Sequence, residues 1–404
     1  ASIDGILNAN NLEISSGATL NITSSGVLKI TRDIINNGSL VFESNEHGSG
    51  QLASFSGTIS GNGETTVERY IPSNRTFRML TSSVNATSIF DNWQEAGNAP
   101  SGFGTHITGV QGIAGQVDAT TGFDITGTGS PSMFTFNNSV VNQATVSAWT
   151  SIGNTDVNTL NAGELYRLYV RGDRNVDLTD NDATANETVL RAKGSLKTGT
   201  QTTGTGNIPG LSATASNYSA VANPYQAIID AEALTYNEVN DSFIYVWDAN
   251  ELANGKYVVV STDGSVAPNP SSSSANQYIM PGQAFFVQNS STVSGTPSIV
   301  FEEADKATNQ AQVEIFSEEP ALAYLNLRLY TADDLVNNLS EVDALGFRFD
   351  EQFSNFPSDE DASKLGNPNE NFAVINNESL FYIENRSMPV HEEILPLFIN
   401  GYTD

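Results

Sequence analysis

Short runs of alternating apolar and polar residues, separated by small polar turns, fill residues 3–71. The clearest stretches are LEISSGATLNITSSGVLKITRDIINNGSLVFES and GTISGNGETTVERYI. Alternation with a period of two indicates strands, and Ser-Ser-Gly, Asn-Asn-Gly and Gly-Asn-Gly indicate turns between them. This region is therefore restricted to short strands and tight turns.

Two folds satisfy this alternation. A β-solenoid stacks successive coils and buries one face of every strand, and an antiparallel meander shows the same period. We favour the solenoid because the runs recur at a roughly regular spacing. It places Gly17, Gly26, Gly38 and Gly63 at turns. Its predicted core consists of Ile14, Leu20, Ile22, Leu28, Ile30, Leu40 and Phe42.

The rest of the chain also has the pattern of strands, and 404 residues are too many for one ordinary domain. Strands are expected at FRMLTSSV, SMFTFN, LYRLYVRG, SFIYVWDA, KYVVVST, AFFVQN and SIVFEE, then at LAYLNLRLYT, ALGFRFDEQF, FAVIN, SLFYIEN and ILPLFING. A short helical turn is expected around Ala227–Leu234. The predicted fold class is all-β, with a short N-terminal β-solenoid followed by β-sandwich or jelly-roll-like domains.

Three domains follow from this pattern. Residues 1–71 form the solenoid, residues 72–315 a β-rich sandwich domain, and residues 316–404 a C-terminal β-sandwich. The ending Tyr402-Thr403-Asp404 has the pattern of a strand that has just begun, which would leave the third domain without its last strand.

The composition excludes several classes of function. Lys and Arg number 17 against 46 Asp and Glu, for a net charge of −29, so we expect neither a nucleic acid nor an anionic membrane as a partner. The absence of cysteine excludes a disulfide scaffold, a thiolate zinc site and a cysteine nucleophile. No apolar run approaches the roughly 18 residues of a spanning helix, so no membrane span is expected.

Catalytic patterns are weak, and we predict that the chain is not an enzyme. It has three histidines, His47, His106 and His391. The segment His391-Glu392-Glu393-Ile394-Leu395 begins like a zinc-protease signature but has Leu395 where the second histidine must be. No strand, GxSxG and helix succession is present.

Calcium is the cofactor that the sequence favours. Asp173, Asp177, Asp180, Asp182 and Glu187 lie in one loop, RGDRNVDLTDNDATANE, and hard cations bind several oxygen ligands at once. The spacing is not that of an EF-hand, and a solvated acidic loop is the alternative. A second acidic group consists of Asp350, Asp359, Glu360 and Asp361.

Two other patterns have a functional and a structural interpretation. Aromatic side chains can stack against sugar rings or fill a core; the candidates are Trp93, Trp149, Trp247, Tyr245, Tyr257 and Tyr278. Arg171-Gly172-Asp173 spells an integrin-binding tripeptide. We expect a structural role for it, with Arg171 or Arg174 paired to nearby carboxylates.

Several motifs occur in an order that resembles secreted cell-surface proteins of Bacteroidetes exported by the type IX secretion system. They are Val67-Glu68-Arg69-Tyr70-Ile71-Pro72, Arg78-Met79-Leu80-Thr81-Ser82-Ser83-Val84, Gly104-Thr105-His106-Ile107-Thr108-Gly109, Thr121-Gly122-Phe123-Asp124, Pro131-Ser132-Met133-Phe134, Gly163-Glu164-Leu165-Tyr166-Arg167-Leu168-Tyr169-Val170-Arg171-Gly172-Asp173, Asn223-Pro224-Tyr225, Tyr245-Val246-Trp247-Asp248 and Pro281-Gly282-Gln283-Ala284-Phe285-Phe286-Val287. The resemblance implies export and surface display, with a C-terminal sorting domain beyond the region that matches. It implies no single activity.

The expected function is therefore structural. We predict an extracellular or outer-surface protein that acts in adhesion or in self-assembly into a filament or coat, with association through the chain ends. The alternative is a module that binds a surface polysaccharide, either alone or as an accessory domain of a carbohydrate-active protein.

Overall fold

The computed structural model describes residues 1–180, 182–251, 255–311, 323–337, 341–349, 353–358, 361–367, 370–390 and 392–401. The chain divides into two compact units, Ala1–Glu318 and Glu319–Asp404. Nearly all of their regular structure is strand, so the all-β prediction is confirmed. The boundary expected at residues 315–316 and the ending Tyr402-Thr403-Asp404 lie outside the described residues.

Short strands and tight turns make up the N-terminal region, as the alternation predicted. The strands are β1 (Ser2–Ile3), β2 (Ile6–Ala9), β3 (Leu12–Ile14), β4 (Thr19–Ile22), β5 (Val27–Ile30), β6 (Ile34–Asn36), β7 (Ser39–Phe42), β8 (Ser44–Asn45), β9 (Gly48–Ser49), β10 (Gln51–Leu52), β11 (Ile59–Ser60) and β12 (Glu64–Ile71).

Three parallel sheets run along this region, in the orders β1-β4-β7-β12, β2-β5-β10 and β3-β6-β11. The antiparallel pair β8–β9 is inserted in the third coil. Parallel pairing between strands one coil apart is what a solenoid requires, whereas a meander pairs antiparallel neighbours. The solenoid is therefore confirmed and the meander is wrong.

The solenoid core is the predicted one. Ile14, Leu20, Ile22, Leu28, Ile30, Leu40 and Phe42 are all buried. Turns between coils depend on glycine for two different reasons. Gly17 has a φ of +78°, in the left-handed region, and a Cβ on Gly38 would lie 2.3 Å from the carbonyl oxygen of Ala18.

The solenoid passes without a break into the rest of the first unit. Its remaining strands are β13 (Thr76–Leu80), β14 (Val84–Ala86), β15 (Thr108–Gln111), β16 (Asp124–Thr126), β17 (Met133–Phe136), β18 (Trp149–Ser151), β19 (Tyr166–Val170), β20 (Thr188–Leu196), β21 (Gln201–Thr202), β22 (Tyr218–Ala222), β23 (Ile229–Asp230), β24 (Thr235–Asn237), β25 (Phe243–Asp248), β26 (Lys256–Ser261), β27 (Tyr278–Ile279), β28 (Ala284–Gln288) and β29 (Ser298–Phe301). Single 3₁₀ turns lie at Glu95–Gly97, Ala231–Ala233 and Glu303–Asp305; the second falls within the helical turn expected around Ala227–Leu234.

Strand β12 is the junction. One edge pairs in parallel with β7, and the other pairs antiparallel with β20, which in turn pairs with β14. The region from 72 onward therefore shares a six-stranded sheet with the solenoid. Two four-stranded sheets, β13-β19-β17-β18 and β22-β28-β25-β26, and the three-stranded sheet β21-β29-β24 complete the larger part of the unit.

The second unit is built on one mixed sheet in its described part. Its strands are β30 (Ala323–Leu329), β31 (Asp343–Phe349), β32 (Ala362–Ser363), β33 (Asn371–Asn376), β34 (Ser379–Arg386) and β35 (Leu397–Asn400), and the helix α1 spans Ala332–Val336. The order is β30-β31-β34-β33-β35, with β32 paired to β34. Its core consists of Leu345, Phe347, Phe349, Phe372, Val374 and Phe381.

We predict that Phe42→Ala destabilises the protein by about 3–5 kcal/mol, because it removes a fully buried ring from the solenoid core. The matched control is Ile35→Ala, which truncates an exposed apolar side chain on β6 and should change stability by less than about 0.5 kcal/mol. Urea unfolding of the full chain measures both. Equal losses of unfolding free energy in the two variants would contradict the assignment of Phe42 to the core and of Ile35 to the surface.

Candidate functional site

Two four-stranded sheets of the first unit pack against each other through a small apolar contact. The buried residues are Met79, Leu165, Ala220, Ala222, Ala284 and Phe286. The indole Nε1 of Trp247 donates a hydrogen bond to the carbonyl oxygen of Phe77 at 2.8 Å, which ties β25 to β13. Small alanines bring the sheets close on one side of this contact.

Beyond the alanines, larger rings line a recess between the same two sheets. We call it the aromatic groove; it is lined by Phe136, Trp149, Tyr218, Tyr245, Tyr257, Phe286, Gln143, Ser147 and Ala148. Its volume is about 400 Å³, within the range of small-ligand sites. Its lining is mainly apolar, so a ligand would bind through ring contacts with few polar ones.

Phe286 is the floor of the aromatic groove. Its ring centroid lies 5.0 Å from that of Phe136, 6.0 Å from Trp149 and 5.6 Å from Tyr257, all in edge-to-face geometry. Phe286 is buried, whereas Tyr218 and Tyr257 are each 39% exposed. Edge-to-face contacts hold the rings in fixed orientations, so the walls are preorganised for a planar or ring-shaped ligand.

A loop over residues 137–148 is fastened to the free edge of β22 by side-chain amides. The Gln143 amide donates to the carbonyl oxygen of Tyr218 at 2.7 Å and accepts from its N–H at 2.9 Å. The Asn138 amide makes the same pair of bonds with Ala220, at 3.1 and 2.8 Å. These amides form the hydrogen bonds that a neighbouring strand would form. They therefore satisfy the backbone N–H and carbonyl groups at the edge of β22 and hold one wall of the groove in place.

The hydroxyls of Tyr245 and Tyr257 at the groove stay neutral at physiological pH. Burial raises the pKa of Tyr245 to about 12, and its hydrogen bond with Tyr218 adds to this. Burial likewise raises the pKa of Tyr257 to about 12, although the nearby charge of Arg167 acts in the opposite direction. Neutral phenols both donate and accept hydrogen bonds, which suits a ligand rich in hydroxyls.

Arginine side chains stack on the aromatic face next to the groove. The guanidinium carbon of Arg167 lies 3.9 Å from the ring centroid of Phe77 and 5.2 Å from that of Trp149. That of Arg171 lies 4.9 Å from the ring of Tyr169. Burial lowers the pKa of both arginines, and Arg167 and Arg171 are half-buried.

The predicted sugar-stacking residues divide into two groups. Trp149, Tyr245 and Tyr257 line the groove, and Trp247 packs against Tyr257 at 4.9 Å between centroids. Trp93 is instead buried against Tyr166, and Tyr278 lies in β27, apart from the groove lining. Sequence reasoning missed Phe136, Tyr218 and Phe286, for which alternation in their strands was the available signal. It also missed Gln143, which lies in the loop over residues 137–148 and carries no such signal.

Asp173 of the predicted calcium loop is buried and already satisfied. It accepts hydrogen bonds from the Gly102 N–H at 2.7 Å, the Asn186 amide at 2.9 Å and the Asn175 amide at 3.1 Å. Burial would raise its pKa, but these donors outweigh that effect and lower it. Backbone and amide donors therefore stabilise the negative charge of this carboxylate, as a bound cation would.

Three of the other four predicted ligands accept a hydrogen bond from an N–H or hydroxyl group. Asp177 accepts from Thr179, Asp180 from the Asp182 N–H, and Glu187 from the Tyr70 hydroxyl at 2.9 Å. In the described part of the chain, no three His, Asp or Glu residues are grouped as metal ligands. The structure does not bring the five residues together, and calcium stays a prediction. Asp350, Asp359 and Glu360 lie outside the described residues; Asp361 accepts from the backbone N–H groups of Ser358 and Asn385.

A buried ion pair sits behind the same loop. Arg174 binds both oxygens of Asp124 at 2.8 Å, and His106 Nδ1 lies 3.3 Å from the same carboxylate. Burial raises the pKa of Asp124, but the hydrogen bonds from His106 and Arg174 outweigh it and lower the pKa to about 2. The predicted pairing of Arg174 is confirmed, and the burial of Asp173 fits the structural role expected for Arg171-Gly172-Asp173. His47 is exposed beside Glu46, and His391 lies outside the described residues.

Comparison with protein-family models, with curated proteins and with solved structures found no match. No helix among the described residues combines the length and the apolar character that crossing a bilayer requires.

We predict that Asp124→Asn destabilises the protein by about 3–5 kcal/mol at neutral pH, because it leaves the charge of Arg174 buried without its partner. The ordinary pKa of Asp124 is 3.8 and its folded pKa is about 2, so the stabilisation is complete above pH 3.8 and is lost as the pH falls toward 2. Urea unfolding at a series of pH values should show that the difference in unfolding free energy between wild type and variant becomes smaller over that range. Asp91→Asn, at an exposed carboxylate, is the control and should unfold with the same free energy as wild type. A difference for Asp124→Asn that does not change with pH would contradict a stabilising role for the charge of Asp124.

Proposed function

We propose that this chain is a non-catalytic protein of the cell surface that acts in adhesion, and that the aromatic groove holds a glycan of the surface to which it adheres. The observation that carries the proposal is the convergence of six aromatic side chains on one open recess of about 400 Å³. Rings left partly exposed in a fixed geometry are a typical feature of binding surfaces, because aromatic area favours contact at a small entropy cost.

A saccharide matches this recess in two ways. The C–H face of a sugar ring is apolar and packs on aromatic faces such as those of Trp149 and Tyr257. The hydroxyls of the sugar ring can form hydrogen bonds with the phenol groups of Tyr218 and Tyr245. A purely apolar ligand would form no hydrogen bonds with the tyrosine hydroxyls of the groove.

An extracellular location is part of the proposal. The ordered motifs that resemble exported Bacteroidetes surface proteins support it, and so does a charge of −29, which keeps an exposed protein soluble and apart from its neighbours. Calcium at the loop that contains Asp173 remains a separate prediction, checked by a calorimetric titration of the chain with calcium after chelation.

We predict that Trp149→Ala weakens glycan binding, because it removes one wall of the groove and a ring contact of Phe286. Loss of one stacked ring typically costs about tenfold or more in affinity. A glycan array with the full chain, followed by calorimetry on the glycans that bind, measures this. Tyr324→Ala removes an exposed ring of the second unit and is the matched control, expected to bind as wild type does.

Two results would contradict the assignment. An array on which the wild-type chain binds nothing rejects the glycan-binding proposal. Equal binding by Trp149→Ala and wild type places the glycan elsewhere on the protein.

Self-assembly is the second candidate, and a specific observation favours it. Strands β1, β2 and β3 of the first coil each lie at the edge of their sheet, and none pairs with a further described strand. In the second unit, β35 is also an edge strand, with Leu397 and Ile399 exposed. Unpaired strand edges accept strands from other chains.

We predict that Ile6→Lys on β2 weakens self-association of the full chain, because a charge on an edge strand opposes pairing. Ile6 is 59% exposed; the control is Ile113→Lys, at a residue 74% exposed that lies outside the solenoid. Sedimentation velocity and electron microscopy at increasing protein concentration measure the assembly. Higher salt should strengthen self-association, because salt screens the repulsion between the negatively charged copies of the chain.

A wild-type chain that stays monomeric at high concentration in both low and high salt rejects self-assembly. Equal effects of Ile6→Lys and Ile113→Lys would show that charge alone, and not the coil edge, controls association.

A further inference from the structure

We infer that the aromatic groove selects an acidic saccharide, and that Arg167 and Arg171 bind its carboxylates. This inference rests on the proposed function, and it adds the chemical class of the ligand. The observation behind it is a pair of guanidinium groups that form no ion pair with any described carboxylate and lie beside a recess already suited to sugar rings.

The two arginines belong to one face of one sheet. Arg167 lies in β19 opposite Phe134 of β17, and Phe136, two residues along β17, lines the groove opposite Trp149. Tyr169 follows Arg167 on the same face of β19, and Arg171 stacks on its ring. The cations therefore continue the aromatic surface from the groove along the sheet.

Neither guanidinium forms an ion pair with a described carboxylate, although the charge of Asp124, which Arg174 binds directly, acts on Arg171 from beyond ion-pair distance. No hydrogen bond or ion pair joins either guanidinium to the described residues, and Arg167 Nε and Arg171 Nη1 are buried without an acceptor. Two other arginines bind described oxygen atoms: Arg174 binds the carboxylate of Asp124, and Arg69 donates to the Pro281 carbonyl oxygen, although Arg69 Nε also lacks an acceptor. A half-buried cation without a partner is unfavourable, and a bound anion would supply the missing acceptor.

Carboxylates are abundant in this chain, which has 46 acidic residues and 17 basic ones. Even so, no described carboxylate forms an ion pair with Arg167 or Arg171. Aromatic faces hold the guanidinium planes in position, which leaves their edges for a bidentate contact with a carboxylate. The net charge of −29 opposes an acidic ligand at long range, but at physiological salt that repulsion is screened beyond about 8 Å.

An oligomeric ligand fits better than a single sugar. Arg167 and Arg171 are four residues apart along an extended strand, which separates them by about 13 Å. A chain of uronic acid units can place one ring on Trp149 in the groove and present carboxylates to both arginines.

The test compares a galacturonate hexasaccharide with its fully methyl-esterified form, which has the same rings and no charge. Calorimetry with the full chain in 150 mM salt should show the acid binding about tenfold tighter than the ester, the size of one charge-assisted contact. Arg167→Met should remove that preference by weakening the acid and leaving the ester unchanged. Arg167→Lys keeps the charge and should keep most of the preference, and Arg32→Met, at an exposed site in the solenoid, should change neither ligand.

The outcomes separate the two proposals. If acid and ester bind equally well, the acidic-saccharide inference is overturned and glycan binding stands. If Arg167→Met weakens both ligands equally, the arginine only supports the rings, and the inference is again overturned. If neither ligand binds, the inference is overturned; if the glycan array is also negative, glycan binding falls with it.

Discussion

Strand β12 holds the first unit together, because both of its edges are hydrogen-bonded to different parts of the chain. On one side it continues the parallel stack of the solenoid through β7, and on the other it begins an antiparallel sheet with β20. A solenoid end that met water or an unrelated surface would leave a row of backbone groups without partners. Here the last coil is covered by the sheet that follows, so solenoid and sandwich form one body.

The aromatic groove depends on the same strand, although it is distant along the chain. Arg69 of β12 is half-buried, and its guanidinium donates to the carbonyl oxygen of Pro281 at 3.1 Å. Pro281 begins the turn that leads into β28, and β28 contains Phe286, the floor of the groove. The position of the floor is thus fixed from the solenoid side, and the walls are fixed by the amide contacts of Asn138 and Gln143. A binding site held by buried contacts on two sides needs little reorganisation when a ligand enters.

Much of the fold followed from local pattern, and the site did not. Alternation and turn residues are local, so they placed the strands, and the regular spacing of runs indicated stacked coils before any pairing was known. The groove joins Phe136, Tyr218 and Phe286, which are far apart in sequence and meet only because β17, β22 and β28 lie in two facing sheets. No local period encodes which strands become neighbours. The acidic loop shows the opposite limit. Its composition suggested one metal site, but Asp173, Asp177, Asp180 and Glu187 each accept a hydrogen bond from an N–H or hydroxyl group, and sequence spacing does not reveal such contacts.

The distribution of the few cations explains how so acidic a chain folds and where it has charge left for a ligand. Buried carboxylates need compensation, and most of it comes from N–H and hydroxyl donors, as at Asp173 and Asp248. Cations are used where a carboxylate is enclosed, as in Arg174 with Asp124 and Lys364 with Asp343. Because N–H and hydroxyl donors satisfy so many of the carboxylates, no described carboxylate depends on Arg167 as a partner in the folded protein. Its position on the ring of Phe77 keeps the guanidinium beside the groove, where it is available to the anionic ligand that we propose.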